Sequence, residues 1–260
     1  MSGGLRCPGV SKLLPDVETV KARVVRWGCA QYKPRGQPNP REHMPDFATQ
    51  RFNMVESQIR TSDVTDERIL AAMGEVPRER FVPAAKRGAP YVGSALEVAQ
   101  GRYLMDPRNF AKLLQIAVIQ PGDRVLDVAC ATGYSSAVLA KLAKTVIALE
   151  QDADLVRVAS DMLLAVGASN VTVVQGSLAD GTRQHAPFDV IVVNGAIESE
   201  PKALLAQLAE GGRLVAIVQR GAQGQATLFL KENGHVSSRA DFDASSPMLA
   251  GFRQPAGFVF

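Results

Sequence analysis

The chain reads as an α/β fold, and three observations predict it. Residues 122–150, GDRVLDVACATGYSSAVLAKLAKTVIALE, pass from a short apolar run (Val125, Leu126, Val128) straight into helical spacing (Tyr134, Val138, Leu142) and back to a strand ending at Glu150. Strand-like and helix-like runs then alternate as far as Val218, which is the pattern of a mostly parallel sheet with helices on both faces. Two β-type runs around Asn233-Gly234 close the sequence with a hairpin. Together they predict a Rossmann-like sheet ending in a C-terminal β-hairpin, with an N-terminal helical subdomain in front.

Length and charge bound the organisation. With 260 residues, 46% of them apolar, the chain can bury the core of one α/β domain with accessory elements. Residues 1–43 stand apart, with Pro8, Pro15, Pro34, Pro38 and Pro40 and eight Lys/Arg against three Asp/Glu. A brief helical face (Val17, Val20, Val24, Trp27) interrupts them. They read as a flexible basic tail or as a start assigned too far upstream, Met44 being the alternative. Residues 44–260 form the domain, divided into a helical cap, 44–106, and a core with its terminal hairpin, 107–260.

The elements follow in order. Asp63 or Thr65 can cap a helix through Ile69, Leu70 and Met73, ended by Gly74 and Pro77. Pro107 opens a helix carrying Phe110, Leu113, Leu114 and Ala117. After Glu150 a helix with Leu155, Val158, Met162 and Leu163 stops at Gly167, and NVTVVQG is a third strand. Phe188 to Asn194 is a fourth strand. Residues 203–218 read as a helix, a Gly211-Gly212 turn and a fifth strand.

The first strand–helix turn carries the chemistry. A dinucleotide site wants G-x-G-x-x-G, whereas here Asp127, Ala129, Ala131 and Gly133 alternate. Glu150, at the tip of the second strand, is placed to accept hydrogen bonds from a ribose diol. Cys130 lies inside the turn and reads as a small buried residue rather than a nucleophile. His43, His185 and His235 are too scattered for catalysis, and Cys7, Cys29 and Cys130 form neither a disulfide framework nor a metal site.

The turn resembles motif I, D/E-x-G-x-G-x-G, of the class I methyltransferases that use S-adenosylmethionine, with two glycines replaced by alanine. Upstream, Met54-Val55-Glu56 precedes a helix and then Val76-Pro77-Arg78-Glu79-Arg80-Phe81-Val82-Pro83, a phrase that strongly resembles the protein-L-isoaspartate O-methyltransferase family. Residues 203–218 resemble its L-x-x-L-x-x-G-G-R-L-V phrase, so the likeness covers about residues 54–260. It implies a seven-stranded class I methyltransferase sheet, S-adenosylmethionine as cofactor, and a protein or peptide carrying an isoaspartyl carboxylate as substrate. It also implies cofactor contacts from Asp127, Ala129, Ala131, Gly133, Glu150, Ser177, Leu178 and Asn194. Ser177-Leu178 stand where the family has Asp-Gly beside adenine. Tyr103, Met105 and Asp106 occupy the family's substrate segment G-x-T-I-S-Q-P, where Tyr103 and Met105 replace its two small hydroxyl residues and Asp106 adds a negative charge.

An ionised carboxylate acceptor needs no general base, so no catalytic side chain is assigned. Ala129, Ala131, Ser177 and Met105 leave open a degenerate homologue acting as a binding or scaffold protein. Tyr103 and Asp106 leave open a methyltransferase with another substrate. Neither nucleic acid nor a membrane is expected as partner, because the folded part has no basic stripe and no apolar run of spanning length. The cytoplasm is the expected location, and the sequence does not fix an oligomeric state.

Overall fold

The computed structural model describes residues 46–253, so the expectations for residues 1–43, including the helical face near Trp27, lie outside the described residues. The helices are α1 (Phe47–Met54), α2 (Glu67–Glu75), α3 (Pro107–Ala117), α4 (Tyr134–Leu139), α5 (Ala153–Ala165) and α6 (Lys202–Leu205). A two-stranded ribbon pairs β1 (Leu96–Ala99) with β2 (Arg102–Leu104). The main sheet contains β3 (Arg124–Val128), β4 (Thr145–Glu150), β5 (Val171–Gln175), β6 (Phe188–Ile197), β7 (Leu208–Arg220), β8 (Gln223–Glu232) and β9 (His235–Asp243).

The seven strands lie in the order β5-β4-β3-β6-β7-β8-β9, as the sequence predicts in number and class. β5 through β7 pair in parallel, and β8 and β9 are antiparallel. Strand alternation explains why both faces are covered. Val125, Val146, Ala148, Val190 and Val192 point into one core with α2, α3 and α4. Leu126, Ile147, Leu149, Ile191 and Val193 point into the other with Leu204 and Leu205 of α6. The chain leaves β3 toward β4 on one side and later enters β6 on the other. This reversal opens a crevice beyond the carboxyl ends of β3 and β6, where open α/β sheets bind ligands.

Three local expectations are corrected. Asp66, not Asp63 or Thr65, caps α2, its Oδ1 accepting from the Arg68 amide at 2.9 Å. Asp63 instead adopts a left-handed conformation (φ 63°) one turn earlier. Gly211-Gly212 lies inside β7, in a bulge where the pairing jumps from Phe188↔Leu208 to Val190↔Arg213, and the helix before it is a single turn. The terminal hairpin is part of a three-stranded meander, because β7 itself turns back on β8.

After β9 the chain returns across the end of β6. The Ala196 amide donates to Pro247 O at 2.9 Å, and the Leu249 amide to Ala196 O at 2.9 Å. This strap ends the crevice on one side. No helix among the described residues is long and apolar enough to cross a membrane.

Candidate functional site

The turn after β3 is built as its alternating pattern predicts. Ala129 (φ 62°), Ala131 (φ 51°) and Gly133 (φ 94°) all take positive φ. Glycine alone does this without cost, so each alanine carries about 1–2 kcal/mol of backbone strain. The turn is held by the amides of Ala129 and Cys130, which donate to Leu149 O at 3.0 and 3.2 Å. A side chain at Gly133 would meet Leu163 Cγ at 3.2 Å, which explains glycine at the start of α4.

Asp127 lies beneath the turn and is fully buried. Its Oδ2 accepts from Ser135 Oγ at 2.7 Å and Ser136 Oγ at 2.5 Å, and its Oδ1 from Asn194 Nδ2 at 2.5 Å. Burial pushes its carboxyl up to about 6, against the pull of those three donors. The side chain therefore ties β3, α4 and β6 together instead of being presented to the crevice. Asn194 also donates to Val128 O at 3.1 Å and lies within β6, which runs on to Ile197 rather than stopping at a turn before Gly195.

Glu150 ends β4 as expected, but its carboxylate is covered. Arg102 Nε donates to Oε1 at 2.9 Å, with the amides of Gln151 and Asp152 at 2.8 and 3.2 Å on the same oxygen. The Ala131 amide donates to Oε2 at 3.1 Å, linking strand tip to turn. Arg102 has no counterpart among the sequence-derived site residues. The local text gave no signal for it, since its partner lies 48 residues away.

The expected substrate residues divide. Tyr103 and Met105 line a small cavity with Ala129, Cys130, Tyr134, Ser135 and Asn194, about 10 Å³ and room for one water. Asp106 instead caps α3, its Oδ1 accepting from the Asn109 amide at 2.8 Å, and burial raises its carboxyl. Its charge serves the N-terminus of α3. Ser177 is exposed on the loop after β5, whereas Leu178 is buried in the core. Cys130 is buried and its thiol is pushed well up by desolvation, with Asp127 and Glu150 adding to the effect, so it stays protonated.

The phrase at 76–83 clamps cap to core. Arg78, fully buried, donates from Nε to Pro90 O and from Nη2 to Met105 O, both at 2.9 Å, and lies 4.7 Å from the centroid of the Tyr134 ring. Thr132 Oγ1 donates to Phe81 O at 2.7 Å, joining the phrase to the turn. No cluster of three potential metal ligands exists among the described residues.

The chain is similar to known proteins over most of its length. The family described as protein-L-isoaspartate(D-aspartate) O-methyltransferase matches residues 49–244. The protein-L-isoaspartate O-methyltransferase of Synechococcus sp. (strain JA-2-3B'a(2-13)) is 38% identical over 214 residues, covering 79% of this chain and 88% of its own. That of Koribacter versatilis (strain Ellin345) is 40% identical over 169 residues, 65% of this chain and 76% of its own. Among solved structures, a protein-L-isoaspartate O-methyltransferase superposes with a TM-score of 0.69 at 24% identity, covering 77% of this chain and 66% of that one. A Plasmodium falciparum protein described as a methyltransferase of this kind, in complex with S-adenosyl-L-homocysteine, superposes with a TM-score of 0.66 at 21% identity, covering 76% of this chain and 97% of its own.

Proposed function

The chain belongs to the protein-L-isoaspartate O-methyltransferase family, and from that premise we propose that it methylates isoaspartyl carboxylates of proteins or peptides in the crevice beyond β3, β4 and β6. The family match over residues 49–244 carries this reading. S-adenosylmethionine is the cofactor, and when bound it supplies an electrophilic methyl group on a sulfonium. The residues present suit such a nucleoside: an acidic strand tip at Glu150, a tight turn at 129–133, and an exposed polar loop at Ser177.

We assign Glu150 to the ribose, the 129–133 turn to close backbone approach, and Ser177 to the edge of the adenine, with Leu178 anchoring that loop in the core. Asp127 and Asn194 hold the turn from below. Tyr103 and Met105 form the wall facing the acceptor, and Asp106 fixes the helix behind them. The acceptor carboxylate is ionised near neutral pH, so the protein's task is to orient it in line with the methyl group and exclude water, with no base to supply. A protein or peptide rather than nucleic acid is the proposed partner, and the cytoplasm the proposed setting.

The test is transfer of a labelled methyl group to an isoaspartyl peptide and to the matching aspartyl peptide. Labelling of the first but not the second is expected. Equal labelling of both, or of neither, overturns the assignment.

A further inference from the structure

Glu150 is the acid expected to receive the ribose diol, yet it is fully buried and both its oxygens already have donors. The small cavity under the 129–133 turn, lined by Ala129 and Cys130 and not by Glu150 itself, holds about 10 Å³, whereas nucleoside-sized ligands occupy sites of roughly 300 Å³ or more. What closes it is the β1–β2 ribbon: Arg102 lies on the carboxylate, and Tyr103, Leu104 and Met105 follow along the same strand segment and line the cavity. We propose that Arg102 and the cofactor's ribose compete for Glu150, so that Arg102 sets the affinity for the cofactor; this rests on the function proposed above.

Three observations favour exchange over a permanent structural pair. The ribbon has two short strands that pair with each other and join no other sheet, with a register shift between Glu97 and Ala99. Such a pair is marginally stable alone, and because Leu104 and Met105 anchor it in the core, release of the carboxylate requires only the Gly101–Arg102 end to shift. Arg102's other hydrogen bond, from Nη1 to Gly101 O at 3.2 Å, stays within the ribbon and would move with it. Finally, Arg102 borders an open cavity of about 600 Å³ with Gln100, Gly101, Met248 and Arg253, so a displaced guanidinium has solvent-filled room beside the crevice.

The pairing has a physical rationale in the ligand-free protein. A buried carboxylate without a cation is strongly unfavourable, and Arg102 neutralises Glu150 until hydroxyl donors arrive. The observed dissociation constant is then the intrinsic one divided by the fraction of molecules in which Arg102 has released the carboxylate.

Calorimetric titration with S-adenosylhomocysteine, together with thermal melting of the ligand-free protein, tests the exchange. Arg102→Gln should bind about tenfold more tightly than the natural chain while melting at a lower temperature. Arg102→Lys should fall between the two. In a Glu150→Gln background the substitution at 102 should leave affinity unchanged, because the shared partner is gone. Equal or weaker binding by a folded Arg102→Gln protein overturns the proposal, and methyl transfer by the natural chain would then show that the functional assignment stands without it. Absence of binding by both proteins also overturns it, and the peptide assay decides separately whether the function survives.

Discussion

At the scale of single residues, the buried carboxyl of Asp127 makes a prediction with a definite sign. Its value of about 6 in the folded protein stands above the usual 3.8. Between those values the unfolded chain releases a proton that the folded chain keeps, so the contribution of Asp127 to stability is greatest below pH 3.8 and falls as pH rises to about 6. The difference corresponds to roughly 3 kcal/mol. Urea denaturation from pH 4 to 7 should therefore show a downward slope in the natural protein that is missing, by about this amount, in Asp127→Asn. Parallel slopes would show that Asp127 ionises normally. Ala129 and Ala131 make a second prediction: glycine at both positions removes about 1–2 kcal/mol of strain at each but also a buried methyl worth about 0.8 kcal/mol. The double variant should be up to about 2 kcal/mol more stable, and a loss above 1 kcal/mol would show a turn adapted to its methyl groups. The signal for positive φ at these alanines lay in the resemblance to motif I, which has glycine at both positions. The burial of Asp127 was not, because it depends on Asn194, 67 residues away.

At the scale of elements, the phrase at 76–83 was the most specific text in the chain, and its structural work is now visible. Arg78 spans two carbonyls, Pro90 O and Met105 O, that belong to different parts of the cap. Lysine cannot span both, and hydrogen bonds to charged groups contribute about 1.5–3 kcal/mol each. Arg78→Lys should therefore cost about 2–3 kcal/mol in urea denaturation; a change under 0.5 kcal/mol would show that the clamp resides in Phe81 and Thr132 instead. Helix positions were legible where apolar spacing was long, as in α3 and α5. Helix α6 was not, because one turn of four residues carries no period. Its neighbouring bulge at Gly211-Gly212 looked like a loop because a single sequence does not reveal that β6 pairs on either side of it.

At the scale of the whole molecule, the sheet's class followed from the alternation of periods and its seven strands from the family resemblance, while the strap over β6 did not, since its residues Pro247 to Phe252 have no strand pattern. The family match begins at residue 49, after the proline-rich stretch. Deleting residues 1–43 is accordingly expected to leave the melting temperature within about 2 °C, because less than 0.5 kcal/mol of stability is at stake on this reading; a larger drop would make the stretch part of the domain. The order of the strands also has a kinetic consequence. β7, β8 and β9 meet neighbours in sequence, with Gln219 opposite Gly224 across the first turn and Glu232 opposite His235 across the second. At the centre of the sheet, Val125 must find Val190 and Leu126 must find Ile191, closing a loop of about 65 residues before β3 and β6 can join the two halves. Refolding should then be paced by that encounter, with the meander formed early and the crevice last. Pulse-labelled hydrogen exchange would show amides of β8 protected before those of β3, and a newly made chain would acquire its ligand site only at the final step of its folding.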